Sequence, residues 1–166
     1  MSQELTQEYL KSILHYDPDT GIFRWAKRRA TWIPAGTIAG STCENGYTII
    51  VINRKIHRAH RLAWFYMTGN HPPEFIDHIN LDRKDNRFCN LRLSTRAQNM
   101  QNFRIRPDNK SGIKGVYWDA KSNGWRAAIQ KDKKRIYLGV FANLSDASDA
   151  IRVARDVLHG EFANHG

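Results

Sequence analysis

The chain has 166 residues, with 26 Lys and Arg against 16 Asp and Glu, a net charge of +10 and a pI near 9.9. That balance points to a polyanionic partner, while 41% hydrophobic and 11% aromatic content excludes a wholly disordered basic protein. The longest apolar run, 49–52, is strand-sized, which excludes a bilayer span, and the first residues lack the basic-then-apolar order of a signal segment. Cys43 and Cys89 lie far apart outside any CxxC, which excludes a disulfide framework and a cysteine zinc site. The expectation is a cytoplasmic protein of one ordinary domain or two small ones.

The charge is unevenly spread. Residues 1–23 hold one Lys and four carboxylates, whereas 24–111 hold 16 basic and 6 acidic residues. Farther on, 112–137 is cationic and 138–166 is acidic, so the cationic half should face the partner.

In chain order, Leu5, Tyr9, Leu10, Ile13 and Leu14 have the spacing of one helix face over 5–14. Asp17-Pro18-Asp19-Thr20-Gly21 forces a turn, and 22–25 reads as a short strand. Residues 37–40 and 46–53 read as a hairpin with Cys43-Glu44-Asn45-Gly46 at its tip. Residues 60–68 are a helix ending at Gly69. A second hairpin pairs 75–78 with 90–94 and leads into a helix capped by Ser94 or Thr95. The polar stretch Arg104 to Gly112 reads as a linker, giving domains over 1–105 and 113–166 with the linker at 106–112. Beyond it lie three strands, 114–118, 125–130 and 135–141. A helix follows, starting at Asn143 or Ser145, with Ala147, Ala150, Ile151, Ala154, Val157 and Leu158 on one face.

The residues that could carry chemistry are Asp77-His78, then Asn90, then Asn99. A strand end would present Asp77 as a hard oxygen ligand and His78 as a base, and Asn99 on the first turns of the next helix could add an amide oxygen to the same cation. An imidazole with an ordinary pKa of about 6.5 is available as a base near neutral pH. Singly, each residue is as well explained as a surface pair or a cap, and only the spaced set points to a site. His60, ahead of an apolar helix segment, suits packing or phosphate contact better than catalysis.

Ile76-Asp77-His78-Ile79-Asn80, Lys84-Asp85-Asn86, Asn90-Leu91-Arg92, Ser94-Thr95 and Asn99-Met100-Gln101-Asn102 together resemble the HNH endonuclease motif of the phage and homing type. Tyr16-Asp17-Pro18-Asp19-Thr20-Gly21 and His60-Arg61-Leu62-Ala63-Trp64 are similar to that family as well, so the resemblance spans roughly 5–105. It implies a ββα-metal unit holding one divalent cation, with His78 activating water for phosphodiester hydrolysis, Asp77 and Asn99 as metal ligands, and Asn90 fixing the loop that orients His78. Asn99 stands where the family pattern has His, which favours Mg2+ or Mn2+ over zinc. Arg58, Arg61 and Arg96, basic residues beside the motif, are candidate DNA contacts.

Strand alternation sets Trp125, Ala127 and Ile129 toward the last helix and Arg126, Ala128 and Gln130 away from it, with Ile136 and Leu138 inward and Arg135 and Tyr137 outward. The segments Gly115-Val116-Tyr117-Trp118, Trp125 to Ile129 and Tyr137 to Phe141, with Ala147, Ala150 and Ala154, resemble an AP2 DNA-binding domain. That implies a three-stranded antiparallel sheet reading the major groove through Lys114, Tyr117, Arg126, Gln130, Arg135 and Tyr137, with one helix packed behind. The expected fold class is α+β, a nuclease module followed by this small reader. The expected function is a metal-dependent endonuclease acting on double-stranded DNA as a monomer or weak dimer, encoded by a phage or mobile element, with no protein partner implied. A non-catalytic DNA-binding regulator, with the HNH unit as scaffold, is the alternative, and an RNA-binding protein a third reading.

Overall fold

Thr6 caps the first helix in the computed structural model, which describes residues 4–72, 74–101, 105 and 107–165. Met1 to Gln3, Asn102 of the motif and Arg104 at the start of the expected linker lie outside the described residues. The chain divides into two units, Met1–Leu93 and Ser94–Gly166.

In the first unit the Thr6 hydroxyl accepts the Tyr9 N–H at 3.1 Å and starts α1 (Gln7–Ile13). Leu14 is already extended and opens β1 (Leu14–Asp17), antiparallel to β2 (Ile22–Trp25), with Leu14 opposite Trp25 and Asp17 opposite Ile22. The sequence reading carried the helix through Leu14 and had no β1, because four residues of period-two burial are too few to separate from a helix tail. Next come β3 (Ser41–Thr42), β4 (Thr48–Ile52) and β5 (Lys55–Arg58), an antiparallel sheet in that order. The β4–β5 hairpin is also an addition: its turn, Asn53-Arg54, takes left-handed φ of 51° and 63° without the glycine that would have signalled it. Helix α2 (Ala59–Thr68) ends at Gly69. The strands β6 (Phe75–His78) and β7 (Leu91–Ser94) form a two-stranded sheet.

The core of this unit gathers Leu10, Leu14, Tyr16, Phe23, Ile50, Ile52, Leu62 and Phe65. Fully burying an aliphatic side chain of this size stabilises by about 1.5–3 kcal/mol, so α1, the β1–β2 hairpin, β4 and α2 are mutually dependent.

The second unit begins with α3 (Arg96–Gln101), closed by a reciprocal cap in which the Thr95 hydroxyl accepts from Gln98 N–H and the Gln98 side chain accepts from Thr95 N–H. Strands β8 (Val116–Asp119), β9 (Gly124–Lys131) and β10 (Lys134–Phe141) form an antiparallel sheet in the order β10–β9–β8, and α4 (Leu144–His159) packs on it. Val116, Ala127 and Ile129 meet Ala147 and Ile151 in a small core, with Trp125, Leu138 and Phe141 at its margin. Ile136 lies opposite the buried Ile129, on the inward face as expected, yet is 38% exposed; beyond it a bulge between Tyr137 and Gly139 shifts the register of β10. Trp118 stacks edge-on to Trp125 at 5.2 Å and remains half exposed.

The boundary expected at 106–112 falls inside this unit. The Asn109 side chain accepts from Ser111 N–H and donates to Ile113 O, and the Ser111 hydroxyl donates to Val116 O, tying that stretch to the start of β8.

Candidate active site

Asp77 and His78 end strand β6 and are 5% and 4% exposed. The strand delivers them to the loop that joins it to β7, and that loop is held together by hydrogen bonds of its Asn and Asp side chains. Asn80 Oδ1 accepts Asp82 N–H at 2.9 Å, Asp82 Oδ1 accepts Lys84 N–H at 2.9 Å, and Asp85 Oδ1 accepts Arg87 N–H at 3.2 Å, three turns of the same kind in succession. Arg87 also grips the Asp85 carboxylate, which is held down to about 2 by that contact.

Asn90 closes the loop from behind. Its Oδ1 accepts Asn80 N–H at 3.0 Å, its Nδ2 donates to Asp85 O at 2.8 Å and to Asn80 Oδ1, and its backbone O accepts Ile79 N–H. A buried amide that satisfies groups at the start and in the middle of the twelve-residue loop 79–90 fixes the position of the residue preceding it, His78. Asn90 is itself 6% exposed, so its hydrogen bonds run to the loop.

The N-terminal hairpin supports the same loop. Tyr16 Oη donates to Asn86 O at 2.6 Å, Phe88 N–H donates to Pro18 O at 3.0 Å, and Gly21 lies directly on the Asn86–Arg87 backbone. Burial pushes the Tyr16 hydroxyl far above its ordinary pKa, so it stays a donor.

Around His78 stand rings. The His60 imidazole meets it edge-on at 5.0 Å between centroids, and Tyr47 lies 5.2 Å from His60 and 6.0 Å from His78. Arg58 and Arg83 each place a guanidinium over Tyr47, at 4.8 and 4.9 Å from its centroid. Burial lowers the His78 pKa below the ordinary imidazole value, opposed by the Asn86 side chain and the charges of Asp77, Asp85 and Asp82. His60 is pushed down to about 3 by burial, with His78, Arg58 and Arg61 adding to it. Both rings are therefore neutral near pH 7.

Asp77 has a partner that sequence spacing did not signal. Arg92, across the hairpin on β7, donates from Nε and Nη2 to Asp77 Oδ2 at 3.0 and 2.8 Å; Asp77 is buried and Arg92 partly so. Arg83, Asn86 and Tyr47 were likewise unassigned; Asn86 and Arg92 lie within quoted motif segments, but only the folded hairpin shows what they touch. Of the expected DNA contacts, Arg58 and Arg96 are exposed, while Arg61 donates to Pro72 O and Glu74 O. Asn99 is half-buried on α3, in the second unit.

A sequence model described as HNH endonuclease matches residues 57–101, which include Asp77, His78, Asn90 and Asn99. The chain is also 30% identical to Protein 3.8 of Escherichia phage T7 over 110 residues, 66% of this chain and 90% of that protein. Residues 57–101 are an HNH endonuclease family domain, and the chain belongs to the same family as Protein 3.8. No solved structure matches it.

The HNH endonuclease domain implies a DNA partner and, by family habit, a divalent cation. Among the described residues no group of three or more His, Cys, Asp or Glu side chains is placed to hold a metal ion. The Asp77 carboxylate at the end of β6 is a hard oxygen donor that would suit a weakly held hard cation completed by water and phosphate oxygens. No helix among the described residues is long and apolar enough to cross a membrane.

The second unit offers a different surface. On the sheet face away from α4, Tyr117 lies opposite Arg126 and Tyr137 opposite Ala128, with Arg135 beside them opposite Gln130. The Arg135 guanidinium stacks 5.3 Å from Tyr117 and 5.4 Å from Tyr137, and Arg126 is ion-paired with Asp119. Lys114 differs from this set: its backbone O accepts from Arg155 of α4, and its ammonium is pushed down to about 8 by burial and by that guanidinium.

Proposed function

We propose that this protein is a metal-dependent DNA endonuclease in which His78 takes a proton from the attacking water. The observation that carries the reading is the buried Asp77-His78 pair at the end of β6, braced by Asn90, inside the segment matched to the family. A neutral His78 accepts the proton as the water oxygen attacks phosphorus, while Asn90 holds the loop that follows it and the Asn86 side chain meets the imidazole. Asp77 would hold the cation, Mg2+ or Mn2+, and the sequence pattern adds Asn99 as the second ligand. When bound, the cation supplies Lewis-acid stabilisation of the charge on phosphorus and on the departing 3′ oxygen. Arg58 and Arg96 would contact phosphates beside the site.

The exposed Tyr117, Arg126, Gln130, Arg135 and Tyr137 face would bind duplex DNA in the manner of an AP2 domain, the Arg residues meeting phosphates or base edges and the Tyr residues adding contact area. One active site per chain makes a nick the primary product, and the protein would act in the host-cell cytoplasm. The fork of Arg92 on Asp77 favours a second reading, a DNA-binding regulator that does not cut, because it already neutralises the carboxylate a cation would need.

Supercoiled plasmid separates the two. Wild type should give open circles with Mg2+ or Mn2+ and none with EDTA, and His78→Ala should give none while still binding DNA. If neither protein cuts with either metal while both retard duplex DNA, the regulator reading replaces the nuclease.

A further inference from the structure

Among the described residues Trp32 is the most exposed large hydrophobic side chain, with 82% of its surface open. It does not sit on a loose segment. Residues 30–33 form a closed turn in which Ile33 N–H donates to Ala30 O and Arg29 N–H to Ile33 O, and Arg28 folds back to donate to Ala30 O and Thr31 O. The base of the excursion is stapled as well, by Trp25 N–H to Thr37 O, Gly36 N–H to Trp25 O and Ala26 N–H to Ile13 O, and Ile33 packs on the core. A turn so built holds an indole in water in one place, where a Trp serving the core would be buried.

The surroundings select the partner. From Thr20 through Cys43 there is no acidic residue, and Lys27, Arg28 and Arg29 precede the turn, all exposed. Those three line a shallow concavity with Tyr9 and Asn53, and Arg29 stacks on Trp25 at 4.2 Å. An exposed ring beside an unopposed cationic strip is the pairing that single strands and distorted duplexes meet, cations tracking phosphates and the ring stacking on a base.

We propose that Trp32, presented by the stapled 30–33 turn beside Lys27, Arg28 and Arg29, stacks on an unstacked nucleobase of the bound DNA. The contact holds the duplex opened at one step. It rests on the reading above only in requiring that the protein bind DNA.

The test uses the full chain in EDTA, a fluorescein-labelled 40-base-pair duplex, and anisotropy across a salt series. Trp32→Ala should bind roughly five- to hundred-fold more weakly with an unchanged salt slope, since no charge is lost, and Trp32→Phe should keep most of the affinity. Duplex should quench intrinsic tryptophan fluorescence in the wild type, and most of that quench should vanish in Trp32→Ala, whose melting temperature should equal that of the wild type. Equal binding and equal quenching in Trp32→Ala overturn the proposal, as does a full loss in Trp32→Phe. If the wild type itself fails to bind duplex, the DNA reading fails and the stacking contact fails with it; if binding persists without cutting, only the nuclease reading is affected.

Discussion

Replacing Gly21 by Ala tests whether the N-terminal hairpin holds the loop that carries His78. Gly21 has φ +73°, where a residue with a Cβ costs about 1–2 kcal/mol. The added carbon would lie 2.4 Å from Arg87 N and 2.5 Å from the Asn86 carbonyl carbon, both backbone atoms that no side-chain rotation can clear. Turn and loop must separate, and the hydrogen bonds they share, Tyr16 Oη to Asn86 O and Phe88 N–H to Pro18 O, are weakened or lost at about 1 kcal/mol each, more for the buried one. The sum is roughly 3–5 kcal/mol, a large part of a typical stability. Gly36→Ala is the control: φ is +83° but nothing lies within 4 Å, so it should lose only the conformational 1–2 kcal/mol. Urea unfolding followed by tryptophan fluorescence measures both, and plasmid nicking well below either midpoint measures the loop. Gly21→Ala should fall at least tenfold in nicking while Gly36→Ala holds; equal stability and equal nicking in the two variants would refute the support assigned to the hairpin.

Other consequences can be checked separately. Arg92→Met leaves Asp77 buried without its counter-charge and should cost about 3–5 kcal/mol in urea unfolding, with much of it recovered by adding Asp77→Asn. Arg135→Gln should lower the slope of log affinity against log salt by about one and leave thermal stability within about 0.5 kcal/mol. Lys114 is pushed down to about 8 in the fold against 10.5 when unfolded, so between these values the unfolded chain binds more protons. Stability of the second unit should therefore rise as pH climbs through that window, and Lys114→Met should flatten the rise in melting temperature between pH 8 and 10.

Much of this arrangement is legible in the residues. The helix at 59–68 and the C-terminal strands at 124–131 and 134–141 follow from period and turn chemistry, because long periodic runs bounded by Gly, Asn and Asp admit few readings. Four-residue strands such as β1 and β5 do not: too short to show a period, they are fixed by the partners they meet in the fold, Trp25 for Leu14 and Ile50 for His57. The same reason hides part of the site. Asp77 and His78 stand out as a pair, but the Arg92 fork, the His60 ring and the Tyr16 hydroxyl reach them across 15, 18 and 70 residues, counted to His78 for the ring and to Asn86 for the hydroxyl.

The three successive Asx turns in the 79–87 loop carry a consequence for hydrogen exchange. Amides outside any helix or strand ordinarily exchange with solvent fast, yet Asn80, Asp82, Lys84 and Arg87 each donate to a side-chain oxygen within the loop. Their protection should follow the opening of the β6–β7 ribbon as one cooperative group, far slower than the polar sequence of the segment suggests. An irregular segment rich in Asp and Asn can thus be as rigid as the strands it joins, and Glu or Gln, one methylene longer, could not replace those residues without loosening it.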